Sequence, residues 1–141
     1  MAALSQEGIQ RLAQRASQGA GSQDYKSVTK TLRQEMWEHV GVVRHATALQ
    51  RALQTIRTLT AQARACASAR PATLVKCLEL DNLCRTAEAI AMAALTRQES
   101  RGTHYREDFP DKNDTDWHCN VVVRQEADGT LQAHKVPVIA V

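Results

Sequence analysis

The chain has 141 residues, 43% of them apolar but only 4% aromatic, with 18 basic and 15 acidic side chains and a formal charge of +3. That length suits one domain able to bury about two-thirds of its unfolded surface. An Ala-rich, aromatic-poor composition fits close-packed helices and excludes a sandwich or barrel. The charges are interspersed, so no basic stripe points to nucleic acid, and no apolar run reaches a membrane span.

In chain order, Ser5 is placed to cap a short helix with Ile9, Leu12, Ala13 and Ala16 on one face, ending at the Gly19-Ala20-Gly21-Ser22 loop. Met1–Ala20 is too polar for a signal peptide. A helical pattern then runs from about Asp24 to Ala67, with Val28, Leu32, Met36, Val40 and Val43 on one stripe. Leu49, Leu53, Ile56 and Leu59 continue it one step round, and Gly41 lies inside it, which predicts a kink or short break near His45–Thr47. Trp37 reads as a helix-packing anchor.

Ala69-Arg70-Pro71 ends that pattern. The next helix starts at Pro71 or Thr73 and runs to about Arg101, where Gly102 supplies the stop. It is apolar over more than half its circumference, which predicts the buried centre of a bundle with Leu83 and Ile90, seven apart, both in the core. Phe109–Asp114 is turn chemistry. Asn120–Arg124 and Leu131–Val136 flank Asp128-Gly129 as a β-hairpin, which must dock on something to be stable.

Catalytic and metal signatures are absent from this sequence. It has no G-x-G-x-x-G, P-loop, G-x-S-x-G or H-E-x-x-H. Cys66, Cys77, Cys84 and Cys119 form no C-x-x-C pair and read as reduced, partly buried thiols. His39 and His45 lie on different helix faces, and His104, His118 and Cys119 do not make up a zinc set. Asn113-Asp114-Thr115 matches a glycosylation sequon by chance. No catalytic, cofactor-binding or metal residue is therefore assigned.

The stretch Thr96–Pro110 stands apart, with six charged side chains and a histidine in fifteen residues. Gly102 and Arg101 meet what ending a helix requires, and Glu99, His104, Arg106, Glu107 and Asp108 go beyond it. The charged turn reads either as charges paired in solvent or, through Arg101, His104 and Arg106, as donors for a neighbouring domain or anion. The run Arg97-Gln98-Glu99-Ser100-Arg101-Gly102-Thr103-His104-Tyr105-Arg106-Glu107-Asp108-Phe109-Pro110 resembles the R-x-E-S-R-G-x-H-x-R-x-D-F-P signature of the succinate dehydrogenase/fumarate reductase flavoprotein family. Met36–Arg44 is similar to the M-W-x-x-V-G-V-V-R block, including that of L-aspartate oxidases. Leu78–Leu83 with Ala87-Glu88 is similar to the L-E-L-x-N-L helix, and Asp114–Trp117 to the D-x-x-W segment. The blocks occur in the family's order and cover essentially the whole chain.

The resemblance implies an all-α, three-helix, spectrin-repeat-like bundle with an extended C-terminal tail containing a small β-hairpin. Residues 1–102 would form the bundle and 103–141 the tail packed on it, a single domain overall. It implies the C-terminal structural domain of an FAD-dependent oxidoreductase, cytoplasmic or peripheral on the cytoplasmic membrane face, whose flavin-binding and capping domains carry the FAD and the substrate chemistry. Such a separated domain is expected to bind no FAD and transfer no hydride alone. Glu99, Arg101, His104, Arg106 and Asp108 would then be interdomain contacts held largely in solvent. The rival reading is a stand-alone helical protein-interaction module using the Arg101–Asp108 surface.

Overall fold

In the computed structural model, residues 6–17 and 24–138 are described. Ser5 as a cap and the Gly19–Ser22 loop fall outside them. Helix α1 (Gln6–Ser17) is followed by α2 (Tyr25–His39), a two-residue strand β1 (Val43–Arg44), α3 (Ala46–Ala65) and α4 (Pro71–Thr96). Then come β2 (Tyr105–Arg106), the single turn α5 (Asp114–Trp117), and the hairpin strands β3 (Cys119–Gln125) and β4 (Leu131–Pro137).

The fold is mostly helical, with α2, α3 and α4 packed on one another. Buried positions on α4 are Cys77, Leu80, Cys84, Ala87, Ala91 and Ala94, alternating steps of three and four. On α3 they are Leu49, Ala52, Leu53, Ile56, Leu59, Thr60 and Ala63, with the same spacing. A stripe of that period keeps one helix face on its partner, and the small Ala and Cys side chains let the axes approach. Thr60 resolves its buried hydroxyl by donating to the Ile56 carbonyl at 2.8 Å. Cys77, Cys84 and Cys119 are free thiols, and burial pushes the Cys84 thiol up to about 11.

Asp24 caps α2, its carboxylate accepting from the Lys26 N–H. Along the predicted long helix, Val28, Leu32 and Val40 are buried, but the helix stops at His39. The break is wider and earlier than the stripe suggested, spanning Val40 to His45. Gly41 fits there without strain, whereas a Cβ would sit a tight 3.0 Å from the Trp37 carbonyl oxygen. Beyond it, β1 pairs in parallel with β2, and Val43 leaves the core at 56% exposure. The chain straightens because it gains backbone partners 63 residues away: Tyr105 N–H donates to Val42 O and Glu107 N–H to Arg44 O. His45 then caps α3, its Nδ1 accepting from the Thr47 N–H at 3.2 Å.

Pro71 occupies the first turn of α4, as expected. The helix ends at Thr96, five residues before Arg101. Gly102 (φ +59°) is not its stop but the bend of a tight turn, in which Arg101 and His104 exchange backbone hydrogen bonds at 2.8 and 3.0 Å. The hairpin forms as read from sequence, with Cys119 opposite Pro137 and Gln125 opposite Leu131, and packs on α4.

Three apolar expectations fail. Ile9 is 53% exposed, and α1 is instead tied down by Arg15, whose guanidinium donates to the Cys66, Ala63 and Cys77 carbonyls at 2.9–3.3 Å. Trp37 is 84% exposed and anchors no packing. Leu83 and Ile90, at 48% and 45%, flank the α4 stripe by one position and line an open apolar groove of about 410 Å³ with Met36 and Trp37 of α2. An Ile56→Ala or Leu80→Ala change is therefore expected to cost about 2–5 kcal/mol. Leu83→Ala or Ile90→Ala should cost on the order of 1 kcal/mol. Urea denaturation of the four variants checks the ranking.

Candidate functional site

The run Arg97–Pro110 folds back on the ends of two helices. Where α4 stops, its last carbonyls lack intrahelical donors. Arg106, 1% exposed, supplies them: its Nη1 donates to the carbonyls of Ala94 (2.9 Å), Leu95 (3.1 Å) and Arg97 (2.8 Å). Its Nε and Nη2 form a two-pronged pair with Asp108, both at 2.8 Å. The Asp108 carboxylate also accepts the Ala46 N–H at 3.1 Å, in the first turn of α3. One ion pair thus sets a cation on the C-terminus of α4 and an anion on the N-terminus of α3, the favourable sense for both helix dipoles.

Glu99 is fully buried and forms a second centre. One carboxylate oxygen receives Arg97 and the Arg101 Nε (2.8 Å). The other receives the Arg101 Nη2 (3.1 Å) and the Asn113 N–H (2.9 Å). Burial alone would raise its pKa, but the donors from Arg101, Asn113 and Arg97 outweigh it and bring it down to about 2. Asp108 is also held below its ordinary value, first by the Arg106 guanidinium, with burial opposing and the Ala46 N–H assisting. Ser100 closes the turn, its hydroxyl donating to Phe109 O at 2.8 Å and accepting the Arg106 N–H at 2.9 Å.

His104 is half-buried between Arg44 and the end of α4. Arg44 Nη1 lies 2.5 Å from its Nδ1, and its Nε2 lies 3.4 Å from Arg97 O. A guanidinium only donates, so Nδ1 is the acceptor and Nε2 carries the proton. Burial and then the Arg44 charge lower the His104 pKa, holding the ring neutral.

The five residues singled out from sequence do come together, but Glu99 and Arg106 turn inward to 0% and 1% exposure rather than lying in solvent. Arg101 and His104 remain partly exposed. Sequence reasoning gave no site role to Arg44, Arg97, Asn113 or Trp117. Trp117 is 5% exposed and lies between Arg97 (5.6 Å from the ring centroid) and Lys135 (3.4 Å), fastening the hairpin to the turn. Asn113 spends its side chain on capping α5, accepting from the Asp116 N–H at 3.0 Å. The D-x-x-W spacing was the available signal for this contact. Among the described residues, no group of three or more His, Cys, Asp and Glu is arranged to hold a metal. Glu99, Arg101, His104, Arg106 and Asp108 each have a hydrogen-bond partner within the chain, and no nucleophile–base pair emerges among the described residues.

Two outcomes follow. Arg106→Ala should destabilise the chain by on the order of 3–5 kcal/mol, because it strands the Asp108 carboxylate and three helix carbonyls; thermal melts measure it. In acid, the sign follows from the lowered carboxylates. The stabilisation from Glu99 is complete above the ordinary Glu value of 4.5 and is lost as pH falls through about 2, and that from Asp108, also lowered, is likewise lost in acid. A Glu99→Gln variant should flatten that part of the pH–stability curve.

Comparison with known proteins adds the following. The family described as fumarate reductase flavoprotein C-term matches residues 29–141. An L-aspartate oxidase of Streptomyces coelicolor is 39% identical over 107 residues, 74% of this chain and 18% of the relative. A fumarate reductase flavoprotein subunit of Mycobacterium tuberculosis is 30% identical over 125 residues, 85% of this chain and 21% of the relative. Among solved structures, a variant of the E. coli quinol fumarate reductase superposes with a TM-score of 0.81 at 22% identity, covering 94% of this chain and 24% of that one. The chain spans about a fifth of the length of the curated relatives it matches.

Proposed function

We propose a structural role for this chain, which belongs to the family of fumarate reductase flavoprotein C-terminal domains. It serves as the C-terminal scaffold of an FAD-dependent oxidoreductase of the succinate dehydrogenase/fumarate reductase type and is not catalytic alone. Hydride chemistry would belong to FAD held by the flavin-binding and capping domains of the parent, and this chain would hold their geometry. In this reading α2, α3 and α4 are the spectrin-repeat-like bundle, and residues 103–141 are a tail packed on it as part of one domain. The parent would be cytoplasmic or peripheral on the cytoplasmic membrane face; no helix among the described residues is long and apolar enough to cross a membrane.

The observation that carries the reading is the uncovered groove between α2 and α4. Trp37, Leu83 and Ile90 stand open to solvent in one apolar trough, which a chain acting alone would rarely leave exposed. A covalently attached domain would cover it. The turn contributes differently: Glu99, Arg106 and Asp108 fix its shape, while Arg101 and His104, beside exposed Tyr105 and Phe109, form the outward contact.

The test has two halves. Flavin titrated into the isolated chain should show no saturable binding below about millimolar concentration. The matching segment of the S. coelicolor L-aspartate oxidase can then be replaced by this chain. The chimera should retain FAD, and a Trp37→Asp, Leu83→Asp version should lose it although the isolated variant stays folded with only a modest drop in melting temperature. Full flavin retention in the doubly substituted chimera would refute the scaffold role and favour the adaptor reading.

A further inference from the structure

Four guanidiniums meet around the signature turn, and three of them have carboxylates: Arg97 and Arg101 share Glu99, Arg101 also reaches Asp114, and Arg106 holds Asp108. Arg44 does not. Among the described residues its partners are neutral: the His104 Nδ1, and the Val40 carbonyl at a long 3.4 Å from both Nε and Nη2. Its charge is half-buried beside Arg106, and burial followed by that neighbour lowers its pKa, the mark of a cation short of an anion.

Arg44 and His104 open into a cleft of about 420 Å³ between α4 and β3, with Arg97 and Asn120 at its edge. Ile90, Ala93, Ala94 and Val121 form apolar walls. Such walls strengthen a charge–charge contact, and a guanidinium fork suits a planar or tetrahedral oxyanion. We propose that this cleft is an oxyanion-binding site in which Arg44 is the principal donor and His104 holds its guanidinium toward the opening. The shared chemistry is a carboxylate or phosphate oxygen pair; the site stands whether or not the scaffold role does, since it is complete within this chain.

The experiment follows the five histidine rings by carbon–proton NMR while sodium acetate or sodium phosphate replaces sodium chloride at constant ionic strength. A saturable shift confined to His104, with a dissociation constant on the order of millimolar, supports the site. Saturation by acetate alone assigns a carboxylate ligand; tighter saturation by phosphate assigns a phosphorylated one. Arg44→Gln should weaken binding at least about tenfold, while Arg124→Gln on the exposed hairpin leaves it unchanged. If Arg44→Gln does not fold, Arg44→Lys keeps the charge, loses the fork and should still weaken binding several-fold. The proposal is overturned if neither anion saturates, if His39, His45, His118 and His134 shift as much as His104, or if the folded Arg44 variant binds as the parent does.

Discussion

The Arg106–Asp108 pair is the contact on which the rest of the structure depends. Two helices of the core present opposite ends to the same place, the C-terminus of α4 and the N-terminus of α3, and each end leaves backbone groups without partners. A single guanidinium answers three carbonyls, and the carboxylate paired with it answers an amide of the other helix. Desolvating this pair is expensive, and the cost is met only because nearly every donor and oxygen finds a partner. The consequences run outward. The chain after α4 must turn at Gly102 to bring Arg106 back, and that return lays β2 against β1. The β1 pairing in turn holds the segment between α2 and α3 extended, so the break in the long helical pattern is a product of the turn.

This coupling explains which parts of the fold were legible in the sequence. The α3 stripe from Leu49 to Leu59 was readable because apolar and polar residues alternate there at helical spacing. Pro71 and the Asp128-Gly129 hairpin were readable because their backbone preferences act locally. The extent of the Val40–His45 break was not, since its cause lies 63 residues downstream in Tyr105 and Glu107. Nor was the facing of α4. A helix apolar over most of its circumference does not say which sector meets its neighbours, and a seven-residue repeat fits Leu83 and Ile90 as well as Cys84 and Ala91. Close approach to α3 selects the small residues for the seam and leaves the larger ones on its flank.

The candidate site was legible as a cluster but not in its direction. Glu99, Arg101, His104, Arg106 and Asp108 are close in sequence, so any tight turn would gather them. Composition argued that six charges would sit in solvent, whereas geometry sends the most central of them inside. The reason is stoichiometric: helix ends supply carbonyls and amides that water would otherwise serve, and Arg106 and Asp108 replace that water with fixed donors and acceptors. Arg44 and Arg97 could not be added from sequence, because neither their partners nor their burial follows from spacing.

The result is an inversion of the usual arrangement, with charge buried at one end of the bundle and apolar surface open along its side. The two halves of that inversion are physically linked. A turn locked by interior ion pairs needs no partner to hold its shape, so it can present Arg101 and His104 in a fixed orientation before anything binds. The groove of Trp37, Leu83 and Ile90 has the opposite character: its apolar area gains free energy only when covered. In the proposed scaffold role, rigidity at the turn would specify geometry through its charges, and the uncovered area along α2 and α4 would supply the association energy.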